Sequence, residues 1–436
     1  MVDGEGATDR EGNPIRSDYV REVLTNRLGE DTRVTILGHV QRGGKPSAYD
    51  RWASTLQGYH AVHELLTATP DSPGRVIGTC GNRIRRLDLM TAVHDTQQVP
   101  VLIKEGRYDE AMAMRGSSFT EMDAIFTELS EPARTAAELS GGPDSKRIAI
   151  MHAGGPAPGM NTAAQALARL GISRGHTMLG IRNGFVGLAK GDIGELTWED
   201  VEGWTGEGGA ELGTRREMPG TGELYAISRA LEDARVDGLI VVGGYAAYDT
   251  VHCMTTERDR YPAFQIPIVC VPASIDNNLP GSELSIGTDT ALNNAVVALD
   301  SIKLSAAASH RCFVAEVMGR KCGYLSLMSG LTTGAEKVYL NEEGITLAGL
   351  AADSERMVES FRSGRSLYLV IRNERASVNY TTDVLAHIFA EEGKGLYDVR
   401  EAILGHQQQG GSPTAFDRIM ATKLVAYSLE LLAGAL

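Results

Sequence analysis

The chain has 436 residues, with 50 glycines, a hydrophobic content of 42% and a formal net charge of -14. This length suits two or three domains, and the composition is typical of an α/β protein with many turns. The acidic balance argues against a nucleic-acid or membrane surface, and no apolar run approaches membrane length. The five cysteines are scattered without metal-ligand spacing, so we expect a cytoplasmic protein with reduced thiols.

The upstream part of the chain predicts helices around a glycine loop, then a strand-like piece and a further helix. In chain order these are Ser17–Gly29, the Gly43-Gly44 loop, Arg51–Leu66, Arg75–Leu89 and Glu105–Arg115. The next residues are rich in proline, alanine, glycine and serine, which is the composition of a linker. We therefore place a module junction at residues 130–145.

Downstream of the junction, apolar strands alternate with polar or glycine-rich loops. The predicted strands are Arg147–His152, Gly238–Val242, Ile266–Pro272, Phe313–Met318 and Leu367–Ile371. Helical stretches follow the first two, over Met160–Leu170 and from Tyr248. This alternation predicts mostly parallel sheets with helices on both faces, and ligands bound outside the carboxyl ends of the strands.

An internal repeat links the two ends of the chain. The block Ile36–Arg51 returns as Ile403–Arg418 at an offset of 367 residues, with 11 of 16 positions identical. We interpret residues 1–129 as the C-terminal tail of an upstream module and residues 146–436 as a second module that is truncated at its C-terminal end. We expect a piece or split-gene product of a longer protein. As an alternative, residues 70–115 would dock onto the second module.

Two loops are candidates for chemistry. Gly154–Gly159 clusters backbone N–H groups before a helix, which suits a phosphate, although a tight turn without a ligand explains it equally well. Asp276 follows the most apolar strand and could take a proton from a hydroxyl group. The alternative for Asp276 is an Asx turn or a helix cap.

Basic residues recur at loop ends, where bidentate arginine could clamp a phosphorylated sugar. They are Arg311, Arg320, Arg400 and His406, with Arg33, His39 and Arg42 in the first copy. Singly, each could be an ordinary solvated charge. The Arg–x5–His spacing occurs in both copies, which favours a shared role.

Several long motifs together resemble those of 6-phosphofructokinases. They are GGPAPGMN (154–161), PASIDNN (272–278), EVMGRKCG (316–323) and the two GHxQxGGxPxxxDR blocks (38–51 and 405–418). The order of the motifs is similar to the duplicated, eukaryotic-type, ATP-dependent enzyme. The resemblance implies a phosphofructokinase-like α/β fold with two subdomains per module.

On the nucleotide side, the resemblance assigns Gly155, Arg216, Gly243 and Gly244. Catalytic modules of the family carry acids that lie near Mg²⁺ at two further positions, and here these are Tyr245 and Asn278. The expected general base is retained as Asp276. The sequence therefore predicts no metal ligands in this chain, although the full enzyme would use Mg²⁺.

On the sugar side, the resemblance assigns a pocket and a set of arginines that reach across an interface. The pocket residues are Ser274, Met318, Gly319, Arg320, Glu374 and His406. Arg311 and Arg400 would complete the neighbouring half's pocket. Arg33 would serve the second-half site, and His39 and Arg42 hold the matching places in the first copy.

The activity implied is transfer of the γ-phosphoryl group of Mg-ATP to the 1-hydroxyl of fructose 6-phosphate in glycolysis. In this type of enzyme the second half is typically a regulatory site for a sugar bisphosphate, and we expect that role here. Residual catalysis by Asp276 is the rival interpretation. A stand-alone regulatory subunit that partners a catalytic chain is the alternative function, and a homo-oligomer is expected. A pyrophosphate-dependent enzyme is disfavoured by Tyr245-Ala246.

Overall fold

The computed structural model describes residues 4–9, 11–29, 31–130, 145–217, 219–220 and 222–436. The chain divides into two compact units, Met1–Ser47 and Ala48–Leu436. Residues 131–144 of the predicted linker lie outside the described ranges, so the module boundary stays a prediction. No helix within those ranges is long and apolar enough to cross a membrane.

The first unit contains helix α1 (Ser17–Leu28) and a 3-10 helix over Gly38–Arg42. Helix α1 ends at Gly29, which has a φ of 71° and donates its N–H to the carbonyl of Thr25. Glycine is the usual residue at this left-handed helix end. The helix predicted over Ser17–Gly29 is confirmed.

The second unit opens with four helices and one hairpin. They are α2 (Ala48–Thr67), β1 (Arg75–Cys80), β2 (Arg83–Asp88), α3 (Leu89–Lys104), α4 (Tyr108–Met114) and α5 (Ser117–Ser130). The predicted strand-like piece is two antiparallel strands, because Gly81 and Asn82 turn the chain with φ of 56° and 58°. Two successive positive φ values match the right-handed twist of a two-residue hairpin.

Helices α2 and α5 pack on the elements beyond residue 146. Trp52 and Ile125 belong to the same apolar core as the helices and strands beyond residue 146. The Arg174 guanidinium pairs with Glu128 at 2.8 Å, and Asn82 Nδ2 donates to Glu283 at 3.1 Å. Within residues 70–115, Val99, Leu102 and Ala111 form a small apolar cluster of their own. The docking of residues 70–115 onto the second module therefore stays a prediction.

The first sheet has five strands, in the order β5-β4-β3-β6-β7, and only β5 is antiparallel to its neighbour. Its strands are β3 (Arg147–Ala153), β4 (Thr177–Ile181), β5 (Ile193–Glu195), β6 (Gly238–Gly243) and β7 (Ile268–Pro272). Its helices are α6 (Met160–Ser173), α7 (Gly184–Leu188), α8 (Leu224–Asp233) and α9 (Tyr245–Thr256). Strand β6 is buried along its whole length, as expected for a parallel strand covered on both faces.

The second sheet has four parallel strands in the order β11-β8-β10-β9. Its strands are β8 (Arg311–Val317), β9 (Lys337–Tyr339), β10 (Leu367–Asn373) and β11 (Asp398–Ile403). The helices of this half are α10 (Thr288–Ala307), α11 (Tyr324–Thr333), α12 (Leu347–Arg362), α13 (Thr382–Gly393) and α14 (Ala415–Ala435). Further 3-10 helices cover Trp204–Gly206, Pro262–Gln265 and Gly405–Gln409.

The predicted fold class is confirmed: two mostly parallel sheets, with helices on both faces of each, form two subdomains. The repeat is visible in the structure, since α2 and α14 begin at the equivalent residues Ala48 and Ala415. Helix α9 begins at Tyr245, three residues earlier than predicted. Strand β11 was not predicted, because Asp398–Ile403 has three charged residues and neither a continuous apolar run nor a regular alternation.

Candidate functional site

The loop after β7 carries the first site residues. Ser274 N–H donates to the Ile286 carbonyl at 3.0 Å, and Asp276 N–H donates to Ser274 Oγ at 3.2 Å. Asn277 then adopts a left-handed φ of 51°, which asparagine tolerates better than most residues. This turn holds Asp276 at the carboxyl end of the sheet with only 9% of its surface exposed.

The turn after β8 supplies the opposing wall. A methyl group added at Gly319 (φ 132°) would lie 2.4 Å from the carbonyl oxygen of Cys322, so only glycine fits there. Arg320 also has a positive φ of 48°, and its N–H donates to Glu374 Oε1 at 2.8 Å. Asn373 Nδ2 donates to the Cys322 carbonyl at 2.9 Å, which ties this turn to the end of β10.

These loops bring Asp276, Arg320 and Glu374 together between the two sheets. Arg320 Nε lies 3.8 Å from Asp276 Oδ2. Burial raises the pKa of Asp276 and the Glu374 carboxylate adds to the rise, while Arg320 and Arg216 oppose it. A buried carboxyl with a raised pKa beside a guanidinium is suited to proton transfer or to holding a hydroxyl group next to a phosphate.

The glycine loops adjoin this pocket. A methyl group at Gly155 would lie 3.2 Å from Arg216 Nη2, so the guanidinium rests against the loop backbone. A methyl group at Gly243 would lie 2.3 Å from the Ala153 carbonyl, and one at Gly244 would lie 3.6 Å from Ser274 Cβ. The four residues predicted for the nucleotide side therefore lie at the carboxyl ends of β3 and β6, next to the Ser274 loop.

The residues at the expected metal positions do not suit Mg²⁺. This ion prefers carboxylate oxygens and water in octahedral geometry, whereas Tyr245 and Asn278 offer no carboxylate. Tyr245 is 64% exposed at the start of α9. Within the described ranges, no group of three or more His, Cys, Asp or Glu side chains is arranged to hold a metal ion. The donor set in this chain does not fit the cofactor implied by the resemblance.

His406 lies in a 3-10 helix that two side-chain amides, the buried Gln408 and the half-buried Asn294, hold in place. Gln408 is fully buried; its Oε1 accepts from Met318 N–H at 3.3 Å and its Nε2 donates to the Gly405 carbonyl at 3.0 Å. Asn294 Nδ2 donates to the carbonyls of Gln407 and Gly410. The segment of His406 is thereby joined to the wall formed by Met318 and Gly319.

Arg311 and Arg400 lie away from this pocket. Arg311 begins β8, so the seven-residue strand separates it from Arg320 by about 20 Å. Both arginines instead flank Asp398, at 3.8 Å and 4.0 Å. Their predicted role in a neighbouring half's pocket remains a prediction.

The first-copy candidates belong to the other compact unit. Arg33 is exposed and pairs with Asp31 at 3.4 Å. His39 and Arg42 are exposed in the 3-10 helix over Gly38–Arg42. Their predicted roles stay predictions.

Sequence reasoning missed the side chains that position these loops, chiefly Gln408, Asn294, Asn373 and Asp417. Gln408 could have been found, because its counterpart Gln41 is retained in the other copy of the repeat. Asn373 could not, since only the fold reveals that it reaches the turn after β8.

The fold and the pocket define an α/β protein with a cluster of charged side chains at the carboxyl ends of two mostly parallel sheets. The sequence model of the family "Phosphofructokinase" matches residues 1–65 and 147–432. The chain belongs to the phosphofructokinase family.

Two curated relatives illustrate the match. The horse muscle-type ATP-dependent 6-phosphofructokinase is 43% identical over 435 residues, which is 100% of this chain and 55% of that protein. The ATP-dependent 6-phosphofructokinase of Dictyostelium discoideum is 45% identical over 99% of this chain and 52% of its own length. The chain thus spans about half the length of the curated relatives it matches.

Solved structures agree. Phosphofructokinase from Pichia pastoris in the T-state matches with a TM-score of 0.93 and 41% identity, covering 99% of this chain and 49% of that one. The Saccharomyces cerevisiae phosphofructokinase matches with a TM-score of 0.95 and 38% identity over 99% of this chain and 57% of that one. A pyrophosphate-dependent phosphofructokinase from Marinobacter aquaeolei shares the fold, with a TM-score of 0.55 and 19% identity over 65% of this chain and 76% of that one.

Proposed function

We propose that this chain is part of an ATP-dependent 6-phosphofructokinase, which transfers the γ-phosphoryl group of Mg-ATP to the 1-hydroxyl of fructose 6-phosphate. Within that enzyme, the pocket of Asp276, Arg320 and Glu374 binds a sugar bisphosphate as an effector. The names of the relatives support the reaction. We further propose a cytoplasmic enzyme whose partners include neither nucleic acid nor membrane.

The observation that carries the regulatory assignment is the contrast between the two sides of the pocket. On the proposed sugar side, the backbone N–H of Arg320 donates to Glu374 Oε1 at 2.8 Å, and the Arg320 guanidinium lies beside Asp276. The nucleotide side has Tyr245 and Asn278 where metal-side carboxylates are expected. Phosphoryl transfer depends on positioning and on charge neutralisation by metal. The sugar side can therefore bind a sugar phosphate, while the carboxylates that would hold the metal for the transfer step are missing.

The side chains divide the binding task by their chemistry. The Arg320 guanidinium neutralises a phosphate, and bidentate contact with phosphate is its preferred geometry. Glu374 and Asp276 accept hydrogen bonds from sugar hydroxyls, and His406 donates to a phosphate at the rim. Ser274, Met318 and Gly319 shape the wall between them.

The test is a coupled kinase assay on the whole chain with fructose 6-phosphate and Mg-ATP, beside calorimetric titration with fructose 2,6-bisphosphate. We expect no turnover, and binding that Arg320→Ala weakens at least about tenfold. Arg229→Ala is the control, because Arg229 is an exposed arginine on α8 whose partner Asp233 lies 3.8 Å away. Turnover that disappears in Asp276→Asn would show a catalytic site, and absence of binding would refute the effector site.

A stand-alone regulatory subunit is the second candidate, and one surface favours a catalytic-half partner. On α2, Tyr59, Val62 and Leu65 are 68%, 57% and 75% exposed. Their repeat counterparts on α14, Ala426, Leu429 and Leu432, are at most 2% exposed, because α14 packs along α6. By analogy, the α2 face would be covered by the equivalent helix of another phosphofructokinase module.

Sedimentation of the chain mixed with a separately produced catalytic module tests this interface. Val62→Glu with Leu65→Glu should abolish the complex, whereas Leu347→Glu, at a 67% exposed position on α12, should leave it intact. Turnover that appears only in the complex would favour the stand-alone subunit. If the chain forms a homo-oligomer that persists in the Val62→Glu, Leu65→Glu variant, the α2 face is not its interface.

A further inference from the structure

A buried carboxylate outside the pocket joins two helix starts. Asp417, in the first turn of α14, is completely buried. Its Oδ1 accepts from Gly287 N–H at 2.9 Å, and its Oδ2 accepts from Thr290 N–H at 2.8 Å and Thr290 Oγ1 at 2.6 Å. Gly287 is the N-cap residue of α10, so one helix caps the other with a negative charge at its positive end.

The start of α10 is bonded directly to the Asp276 loop. Thr288 Oγ1 donates to the Ser274 carbonyl at 2.8 Å. Ile286 N–H donates to the Pro272 carbonyl, and Ser274 N–H donates to the Ile286 carbonyl, both at 3.0 Å. A shift of the helix start would therefore move the loop that carries Asp276.

The glycine loop of the nucleotide side touches the same place. A methyl group at Gly287 would lie 2.8 Å from Ala157 Cβ, and one at Gly159 would lie 2.7 Å from Ile286 Cγ2. Because interiors packed this closely transmit displacements, the glycine loop cannot move independently of α10.

The segment of His406 ends at this network. Thr414, the N-cap residue of α14, donates its N–H to Thr290 Oγ1 at 3.0 Å. Its own hydroxyl donates to Asp289 Oδ2 at 2.6 Å. The two helix starts are thus cross-linked reciprocally by side chains of each.

We propose that Thr290 and Asp417 are positioning residues that hold the Asp276 loop, the glycine loop and the His406 segment in the register a sugar phosphate requires. This inference rests on the proposed sugar-phosphate site. Neither residue is among those proposed to contact the sugar phosphate. Burying a charged group costs desolvation free energy, and replacing buried ion pairs by well-packed apolar residues often leaves stability unchanged or raises it. We therefore assign to this network a role in fixing the geometry of the site rather than in raising stability.

The variants are matched in shape. Thr290→Val removes the shared hydroxyl, Thr290→Ser keeps it, and Asp417→Asn removes the charge. Thr346→Val is the control, because the Thr346 hydroxyl caps α12 by accepting from Gly349 N–H at 3.1 Å. Calorimetric titration of each whole chain with fructose 2,6-bisphosphate should show affinity about tenfold weaker in Thr290→Val and Asp417→Asn. Affinity should stay within about twofold in Thr290→Ser and in the control.

Hydrogen exchange without ligand gives the readout that does not depend on the proposed function. In Thr290→Val, faster exchange is expected together in residues 154–160, 273–279 and 404–412, with no such joint change in Thr346→Val. Faster exchange confined to the start of α10, or unchanged affinity in Thr290→Val, would overturn the inference. If the wild-type chain binds no sugar phosphate, the proposed function fails, and the exchange data still decide whether the network positions these segments.

Discussion

Tyr49 and Phe416 occupy equivalent positions in the two copies of the repeat, and their rings stack on each other. The ring centroids are 4.9 Å apart and the planes are inclined by 27°. Contact between equivalent residues is the arrangement found at the two-fold axis of a symmetric dimer. Helices α2 and α14, which begin at the equivalent residues Ala48 and Ala415, are joined at their first turns by this ring pair.

This ring pair should stabilise the second unit beyond the area that it buries. In a double-mutant cycle of Tyr49→Ala and Phe416→Ala, we expect a coupling free energy of about 0.5–1.5 kcal/mol. Urea denaturation of the four proteins measures it. Tyr49→Phe is the control and should stay near wild type. Strictly additive single changes would mean that the rings merely lie side by side.

The ion pair between Arg51 on α2 and Asp300 on α10 should contribute measurably to the stability of the second unit. Arg51 bonds both carboxylate oxygens, at 3.1 Å and 2.7 Å, and the side chains are 20% and 24% exposed. We expect Asp300→Asn to lower the free energy of unfolding by about 1–2 kcal/mol. Asp233→Asn breaks an exposed pair on α8 and should cost less than about 0.5 kcal/mol. Equal losses in the two variants would show that partial burial adds nothing.

Ligand binding should depend on pH through Asp276. Burial raises the pKa of this carboxyl, so it takes up a proton at a pH where an ordinary aspartate stays charged. Protonation removes a negative charge that repels phosphate, and affinity for fructose 2,6-bisphosphate should therefore rise as the pH falls towards this pKa. The ligand's phosphates titrate near pH 6, so the informative quantity is the difference between wild type and Asp276→Asn. A difference that does not vary with pH would contradict this account.

Folding stability should depend on pH through Asp417. Burial raises the pKa of Asp417 from 3.8 to about 6, so the folded protein holds the proton more tightly than the unfolded chain does. The resulting stabilisation is fully present below pH 3.8 and is lost as the pH rises through about 6, a change of roughly 3 kcal/mol. Asparagine does not titrate, so the free energy of unfolding of Asp417→Asn should rise relative to that of the wild type by about this amount between pH 4 and pH 7. Urea denaturation at both pH values measures it, and parallel stabilities would refute the assignment.

The sequence was most informative where physical requirements are local. The buried apolar run of β6 could only be a covered parallel strand, and Gly29 marks the end of α1 in any context. The loops carrying Asp276 and Arg320 follow such strands directly. Their meeting at the carboxyl ends of the sheets was therefore predictable.

What could not be predicted depends on contacts between distant segments. Asp417 lies in the repeated block 405–418, where the sequence drew attention to His406. Its hydrogen-bond partner Thr290 is 127 residues away along the chain. Strand β11 has three charged residues in six and no regular alternation, and it forms a strand because it pairs with β8. Local sequence does not contain such tertiary information.

The apolar core that α2 and α5 share with the second module has a consequence for chimeras. The repeat suggests swapping modules between relatives at the junction before Lys146. A crossover there would take Trp52 and Ile125 from one parent and the core against which they pack from the other. A breakpoint before Ala48 takes both sides of that core from a single parent. The limits of the folding unit, rather than those of the duplicated unit, therefore determine which segments can be exchanged between relatives.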